Sequence, residues 1–413
     1  MSAKLPVFYG VTRTFEDNGI RDVTGEVRER FAAMFAQDRP ELKGKSVAVC
    51  VGSRGIASLP ELVRATLECL KDMGMAPFIV PSMGSHGGAT AQGQIDLLAS
   101  LGVTEESMGA PIVSDMEVTE LYPIPDGPTV RFSTTGLKAD YVVPVCRVKP
   151  HTILTGEVQS GLCKMIVIGC GKHEGAKDYH RHDIEKVLVL SAEKVIEKVS
   201  LLCGVAVVEN SKDDICELRV VPASEFIETD KALLRLAQGY LPRVPIPKLH
   251  TLIIDEIGKD ISGGGADLNV IGTWRRDGGP RVPDFHFQVL LGLTEATHGN
   301  AIGIGYMDFI PKRLLEQIDY QAGFINAMTA GTPRSVRTPM WLEDDRAIME
   351  AILSTIPEGA PAPMARIRNT RDLGRFWVTE HAIPLIQPGT GCVVDEKVQE
   401  PQFDHEGRWL PFS

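Results

Sequence analysis

The sequence predicts an α/β fold in two domains with mostly parallel sheets. Three observations carry that prediction. Short β-branched runs alternate with longer amphipathic segments, the runs end in turns rich in glycine and serine, and a proline-rich stretch interrupts the alternation beyond the middle of the 413 residues. The first strand of this rhythm is KSVAVCVGS (45–53), a buried apolar run that ends in a Ser-Arg-Gly turn. LPELVRATLECLKDMG (59–74) follows as a helix, with Leu62, Leu67 and Leu70 on one face and a stop at Gly74. PFIVPSMGSHGG (77–88) is the next strand with its exit loop, and ATAQGQIDLLASLG (89–102) the next helix. The alternation continues through YVVPVCRV (141–148), KMIVIGCG (164–171), DIEKVLVLSAEKVIEKVSLL (183–202) and GVAVVEN (204–210).

The prolines of YLPRVPIPK (240–248) mark a linker, after which LHTLIIDEIG (249–258) opens a second α/β region. A glycine-rich loop, ISGGGADLNVIG (261–272), and two further apolar runs, FQVLLGLT (287–294) and NAIGIGYMDF (300–309), belong to that region. The expected domains are residues 1–245 and 246–413. Whether the C-terminal tail packs back on the first domain is left open by the sequence.

Composition narrows the function. Hydrophobic residues at 43% and charged residues at 23% suffice for an ordinary core without disulfides. A net charge of −11, with no basic tail, argues against a nucleic-acid partner, which needs a concentrated cationic face. The N-terminus MSAKLPVFYG has no apolar signal region, and stretches such as LLCGVAVV are too short to span a bilayer, so the expected location is cytoplasmic, away from membranes. The eight cysteines form no CxxC pair and sit mostly in apolar runs, as buried reduced thiols do.

In open α/β sheets ligands bind beyond the carboxyl ends of the strands. Four such loops carry unusual chemistry. Gly52-Ser53-Arg54-Gly55 offers an arginine able to hold a carboxylate or phosphate through two parallel hydrogen bonds, or else a surface turn. Gly84-Ser85-His86-Gly87-Gly88 places a histidine among glycines that allow close backbone approach, directly before a helix. Its spacing fits neither a P-loop nor a dinucleotide fingerprint. The densest run, residues 148–182, holds His151, His173, His180 and His182 with Lys149, Lys164, Lys172 and Lys177. Four of the ten histidines in 32 residues suggest acid–base chemistry or metal ligation near neutral pH, with His173 and His182 reading as incidental surface residues. Finally, Glu256 and Lys259 open the glycine-rich loop of the second region. No HExxH or comparable metal cage is spelled out, so a metal would have to bring other ligands with it.

In order and spacing, Ser53-Arg54, Gly84-Ser85-His86, Pro150-His151, Lys164, His180 and Glu256-Ile257-Gly258-Lys259 resemble the nickel-pincer-dependent lactate racemase family across most of the chain. The resemblance implies two α/β domains with an active-site cleft between them and a nickel complex of a pyridinium mononucleotide with thioamide and thiocarboxylate arms. It implies Lys164 as the covalent anchor of that cofactor and His180 as the nickel ligand, with Ser53, Gly87 and Gly88 beside the cofactor. His86 and His151 would be paired bases, Lys259 would polarise the substrate oxygen, and Arg54, Glu256 and Trp377 would contact substrate. The expected activity is racemisation or epimerisation of a small 2-hydroxy acid, with cofactor-maturation proteins as partners.

Three departures separate the chain from lactate racemases. Val51 stands where they carry an acidic residue, three residues separate the His151–Lys164 spacing from theirs, and Glu256 replaces a glutamine. These point to a substrate larger or more polar than lactate, such as a sugar acid or a molecule with a second carboxylate, with Arg275-Arg276 and His298-Gly299-Asn300 available to reshape the pocket. A net oxidoreductase and a non-enzymatic organic-anion binding protein are the competing readings.

Overall fold

The computed structural model describes residues 5–37, 39–53, 55–152, 154–179 and 181–412. The architecture is α/β with mostly parallel strands, as the sequence predicts. The chain divides into two compact units, residues 16–241 and residues 1–15 with 242–413. Residues 1–15, expected with the N-terminal region, group with the C-terminal residues because their strand, β1 (Phe8–Arg13), is hydrogen-bonded into the C-terminal sheet.

The unit 16–241 contains β2 (Ser46–Val51), β3 (Ala76–Pro81), β4 (Val118–Pro123), β5 (Thr129–Ser133), β6 (Tyr141–Arg147), β7 (Gly204–Glu209) and β8 (Ile215–Val221). Its main sheet runs β3-β2-β6-β7-β8, with β3, β2, β6 and β7 parallel and β8 antiparallel at the edge. Alternate residues of each strand enter opposite cores, because successive side chains point to opposite faces. Val47, Val49 and Val51 of β2, with Val143 and Val145 of β6, pack against Leu62, Leu67 and Leu70 of the helix Leu59–Asp72. Ala48 and Cys50, with Val142 and Cys146, pack on the other face against Leu188 and Val195 of the helix Ile184–Lys198 and Leu233 of the helix Phe226–Tyr240. Both faces are covered, which is why these strands read as continuous apolar runs. The connection from β2 leads to β3 on one side, while β6 pairs with β2 on the other. The crevice of this sheet therefore opens at the carboxyl end of β2.

The other unit adds β9 (Lys248–Ile254), β10 (Asp284–Leu290), β11 (Phe309–Pro311), β12 (Met340–Leu342), β13 (Met364–Ile367), β14 (Arg375–Thr379) and β15 (Cys392–Gln399). They form one sheet with β1, in the order β12-β11-β10-β9-β13-β14-β1-β15. The first five strands are parallel and the last three antiparallel. The end of the chain packs on this sheet. Arg366 of β13, 2% exposed, donates to the carbonyls of Trp409 and Leu410, lies over the rings of Trp409 and Phe412, and pairs with Asp255 at 2.7 Å.

Two local expectations change. The apolar run 164–171 is helical rather than extended: a turn at Leu162–Lys164 passes into a π-helical segment, Met165–Gly169, closed by the Cys170 N–H on the Met165 carbonyl at 2.8 Å. Residues 300–308 form turns, with only Phe309–Pro311 extended. None of the described helices is long and apolar enough to cross a membrane. All eight cysteines are outside disulfides, six of them buried.

Candidate functional site

The carboxyl ends of β3, β2 and β6 bring three of the sequence-selected loops side by side. Ser53 follows the central strand, and its Oγ lies 2.5 Å from His86 Nδ1, on the loop after β3. Backbone geometry shapes that loop. Gly84, Gly87 and Gly88 all have positive φ, and a Cβ at Gly87 would sit 2.6 Å from the Gly93 carbonyl. No other residue type fits Gly87 without moving the helix Ala91–Ser100 that follows. Gln94, fully buried on that helix, donates to the carbonyls of Gly84 at 3.0 Å and His86 at 3.3 Å, tying the loop to the helix. Gly88 has open space around it.

His151 follows β6, on the other side of β2. Its N–H donates to Gln159 Oε1 at 2.8 Å, and its ring Nδ1 accepts the Leu154 N–H at 3.2 Å. His86 and His151 thus stand on loops from the two neighbours of β2, two strand spacings or about 10 Å apart at the level of the sheet.

Lys164 is half-buried at the end of the turn Leu162–Lys164. Two features set that turn. Gly161, at φ +91°, reverses the chain, and the carboxylate oxygens of buried Asp230 accept the N–H groups of Leu162 at 2.9 Å and Cys163 at 2.8 Å. A Cβ on Gly161 would collide with Asp230 Oδ1. Burial drives the Asp230 carboxyl up to about 7 despite these two bonds, and pushes the Cys163 and Cys146 thiols up as well.

Beneath the loops lies Lys172, fully buried, at φ +52°, its Nζ 2.5 Å from the Pro81 carbonyl at the end of β3. Burial lowers its basicity, while the thiols of Cys170 and Cys50 act the other way. At the ends of β6 and β7, Arg147 pairs with Glu209, which also accepts the Ala57 N–H at 2.7 Å and so braces the loop after β2. Asp230, Gln94 and Glu209 were not singled out by sequence reasoning, and Lys172, named within the dense run, was given no role. Asp230 carried a usable signal, since it falls on the apolar stripe Phe226–Leu233–Leu234–Ala237 of its helix, where a carboxylate is out of place.

Arg54 and His180 lie outside the described residues. Glu256 and Lys259 belong to the other unit, on the loop after β9. Glu256 accepts from Arg368 Nε at 3.1 Å and Asn369 Nδ2 at 3.0 Å. Lys259 Nζ donates to Asn326 Oδ1, which also accepts from Asn300 Nδ2 at 3.3 Å. Trp377, on β14, packs its ring against Phe412 at 5.5 Å, within the cluster that holds the chain end. Arg275 is committed to the carbonyls of Phe285 and Tyr306 and to Asp308.

Comparison with known proteins adds the following. Residues 51–235, a little under half of the chain, match the family described as a domain of unknown function (DUF362). That span contains Ser53, His86, His151 and Lys164. No curated protein matches. Among solved structures, the lactate racemase apoprotein from Thermoanaerobacterium thermosaccharolyticum is similar at 13% identity and a TM-score of 0.46, over 82% of this chain and 79% of that one. A likeness of that degree carries no conclusion about reaction or ligand.

Proposed function

We propose that the chain is a racemase or epimerase of a 2-hydroxy acid that moves the hydroxyl proton through an imidazole at the carboxyl edge of the β3-β2-β6 sheet. The observation that supports this reading is the Ser53–His86 contact at the end of the central strand, with His151 on the far side of the same strand. Inverting a carbon that bears hydroxyl and carboxylate by removing its hydrogen as a proton is hard, because that hydrogen is weakly acidic beside an ionised carboxylate. Removing the hydroxyl proton while the carbon loses hydride avoids the carbanion. An imidazole within reach of the hydroxyl serves that step, and Ser53 fixes the ring of His86 for it.

The hydride acceptor must be a cofactor, and a nickel-pincer nucleotide suits the donors present. Among the described residues no three His, Cys, Asp or Glu side chains gather as a cage for a bare ion. A metal that carries its own sulfur donors asks only for a lysine link and one imidazole. Lys164, half-buried on a turn locked by Asp230, is the proposed link, and His180 the proposed imidazole. Such a group, when bound, takes up and returns the hydride. Gly88, with open space around it, leaves room beside His86, and Ser53 and Gly87 are proposed to flank the group. Arg54 is proposed for the substrate carboxylate and Lys259 for the substrate oxygen.

The test is expression together with the cofactor-making proteins, followed by intact mass, nickel analysis and chiral chromatography of 2-hydroxy acids. The expected result is a covalent mass increment that Lys164→Ala lacks, with interconversion of isomers. A Lys164→Ala variant of full activity overturns the proposal. Net release of keto acid with reduction of an added acceptor makes the chain an oxidoreductase instead.

A further inference from the structure

Two histidines outside the loops described above meet side by side on the C-terminal sheet. His250 of β9 and His286 of β10 lie between the register pairs Leu249–Phe285 and Thr251–Phe287, and their ring centres are 5.7 Å apart. His286 is exposed and His250 half-buried. Phe287, backed by Phe309 at 5.3 Å, packs edge-on against His250 at 5.5 Å and so holds that ring. On its other side, His250 Nδ1 lies 2.9 Å from Oγ1 of Thr251, which is fully buried. Each histidine stands four residues before the last residue of its strand. That places the pair about 13 Å from the carboxyl ends of β9 and β10.

The surroundings suit this pair to a metal ion. Among the described residues no carboxylate pairs with either ring, and burial, then the neighbouring His286, lower the basicity of His250. Its ring is therefore neutral near pH 7, the form that ligates. Metal–nitrogen bonds of about 2.0–2.1 Å, with each ring centre about 1.1 Å beyond its nitrogen, put two imidazoles of one ion about 4.5–6.4 Å apart. The observed 5.7 Å falls inside that range. A hydroxyl against Nδ1 is the kind of outer contact that fixes a ligating imidazole, and it leaves Nε2 of His250 for the ion. Lys248 and Asp284, each two residues before its histidine, pair with one another at 3.9 Å, so the flanking charges cancel and set no net barrier to a cation.

We propose that His250 and His286 form a binding site for one divalent transition-metal ion of the zinc, nickel and copper class, apart from the loops that follow the strands. The two imidazoles are its protein ligands. Water fills the remaining positions, since among the described residues no third His, Cys, Asp or Glu completes a cage. The site depends neither on the 2-hydroxy acid reading nor on Lys164. The test uses the full chain expressed alone without a histidine tag, stripped by a chelator and titrated calorimetrically with Zn²⁺ at pH about 7.5, above the ordinary imidazole range. One equivalent is expected to bind at this pair. His250→Asn and His286→Asn should each weaken that binding at least about tenfold, and Thr251→Val, which keeps both imidazoles, about tenfold. His405→Asn, at a ring that is 90% exposed, should leave it unchanged. Unchanged affinity in either the His250 or the His286 variant overturns the proposal. His250 packs against Phe287, so its variant could lose zinc by losing its fold. Substoichiometric Cu²⁺ added to the unaltered chain with ¹⁵N-labelled histidine avoids that ambiguity: the His250 and His286 ring signals should broaden first. Broadening of all exposed histidines together, or of others first, means an adventitious ion only and overturns the proposal.

Discussion

Asp230 is the buried acid on which the presentation of Lys164 depends, and its titration can be worked out. Its carboxyl is raised to about 7, chiefly by burial, against about 3.9 for a free aspartate. A raised carboxyl binds its proton more tightly in the folded protein. Its contribution to stability is thus complete below the unfolded value and is lost as pH rises through about 7. Between pH 6 and 8 the loss amounts to about 1.3 kcal/mol. Asp230→Asn removes this titration. It also exchanges one acceptor for a donor, so one of the Leu162 and Cys163 amides loses its partner at a cost of about 1–3 kcal/mol at either pH.

The wild type minus variant stability should therefore shrink by about 1.3 kcal/mol from pH 6 to pH 8. Every other group titrates in both proteins and cancels. Tryptophan fluorescence is blind to this unit, because Trp274, Trp341, Trp377 and Trp409 all belong to the other one. Hydrogen exchange of β6 and β7 peptides, corrected for intrinsic rates, reports on the right unit. Both pH values lie above the sequence pI of 5.5, where the chain is least soluble. A difference that stays constant, or that grows with pH, refutes the claim that burial outweighs the two hydrogen bonds at this carboxyl.

Two further perturbations test the framework around the site. Gly87→Ala has to place a Cβ 2.6 Å from Gly93 at φ +65°, so we expect a loss of about 1–3 kcal/mol and a displaced His86, read by thermal melting and by the His86 ring signals. Unchanged values would show that the loop has another low-energy path. Arg366→Ala leaves Asp255 without its 2.7 Å partner and strips the cation from Trp409 and Phe412, so we expect about 3–5 kcal/mol of destabilisation and a changed tryptophan emission. A loss below about 1 kcal/mol would mean that the tail is held by its rings alone.

The parallel strands β2, β3, β6 and β7 were legible because they are largely buried on both faces and therefore read as apolar runs, as in Val47–Val51 and Val142–Val145, whereas the edge strand β8, with Glu217 and Arg219 half-buried, was not. The loops after them were legible for the same reason, since Ser53, His86 and His151 are polar residues placed directly beyond such runs. The segment Met165–Gly169 misled because a short apolar run has no period that separates strand from buried helix. Lys172 was named but given no role, because its stretch, Lys-His-Glu-Gly-Ala-Lys, is that of a solvated surface, and only the fold puts its amine under Pro81. The ribbon β4–β5 pairs residues that are partly exposed on both sides, such as Thr119 and Glu120, and left too weak a pattern to find.

Val51 shows how a departure in sequence can be read once the sheet is known. It is the last residue of β2, fully buried, in register with Pro81 and Val145, and it faces the core that contains Leu62 and Leu67. A carboxylate at that position would be desolvated among leucines and valines, at a cost of several kcal/mol. A polar partner for His86 therefore cannot come from residue 51 in this strand register. It comes from Ser53, two residues on, where the chain has left the sheet and the side chain reaches the ring at 2.5 Å. The residue that looks like a lost acid in the sequence is thus a core position, and the first polar side chain beyond the strand end is the one that meets His86.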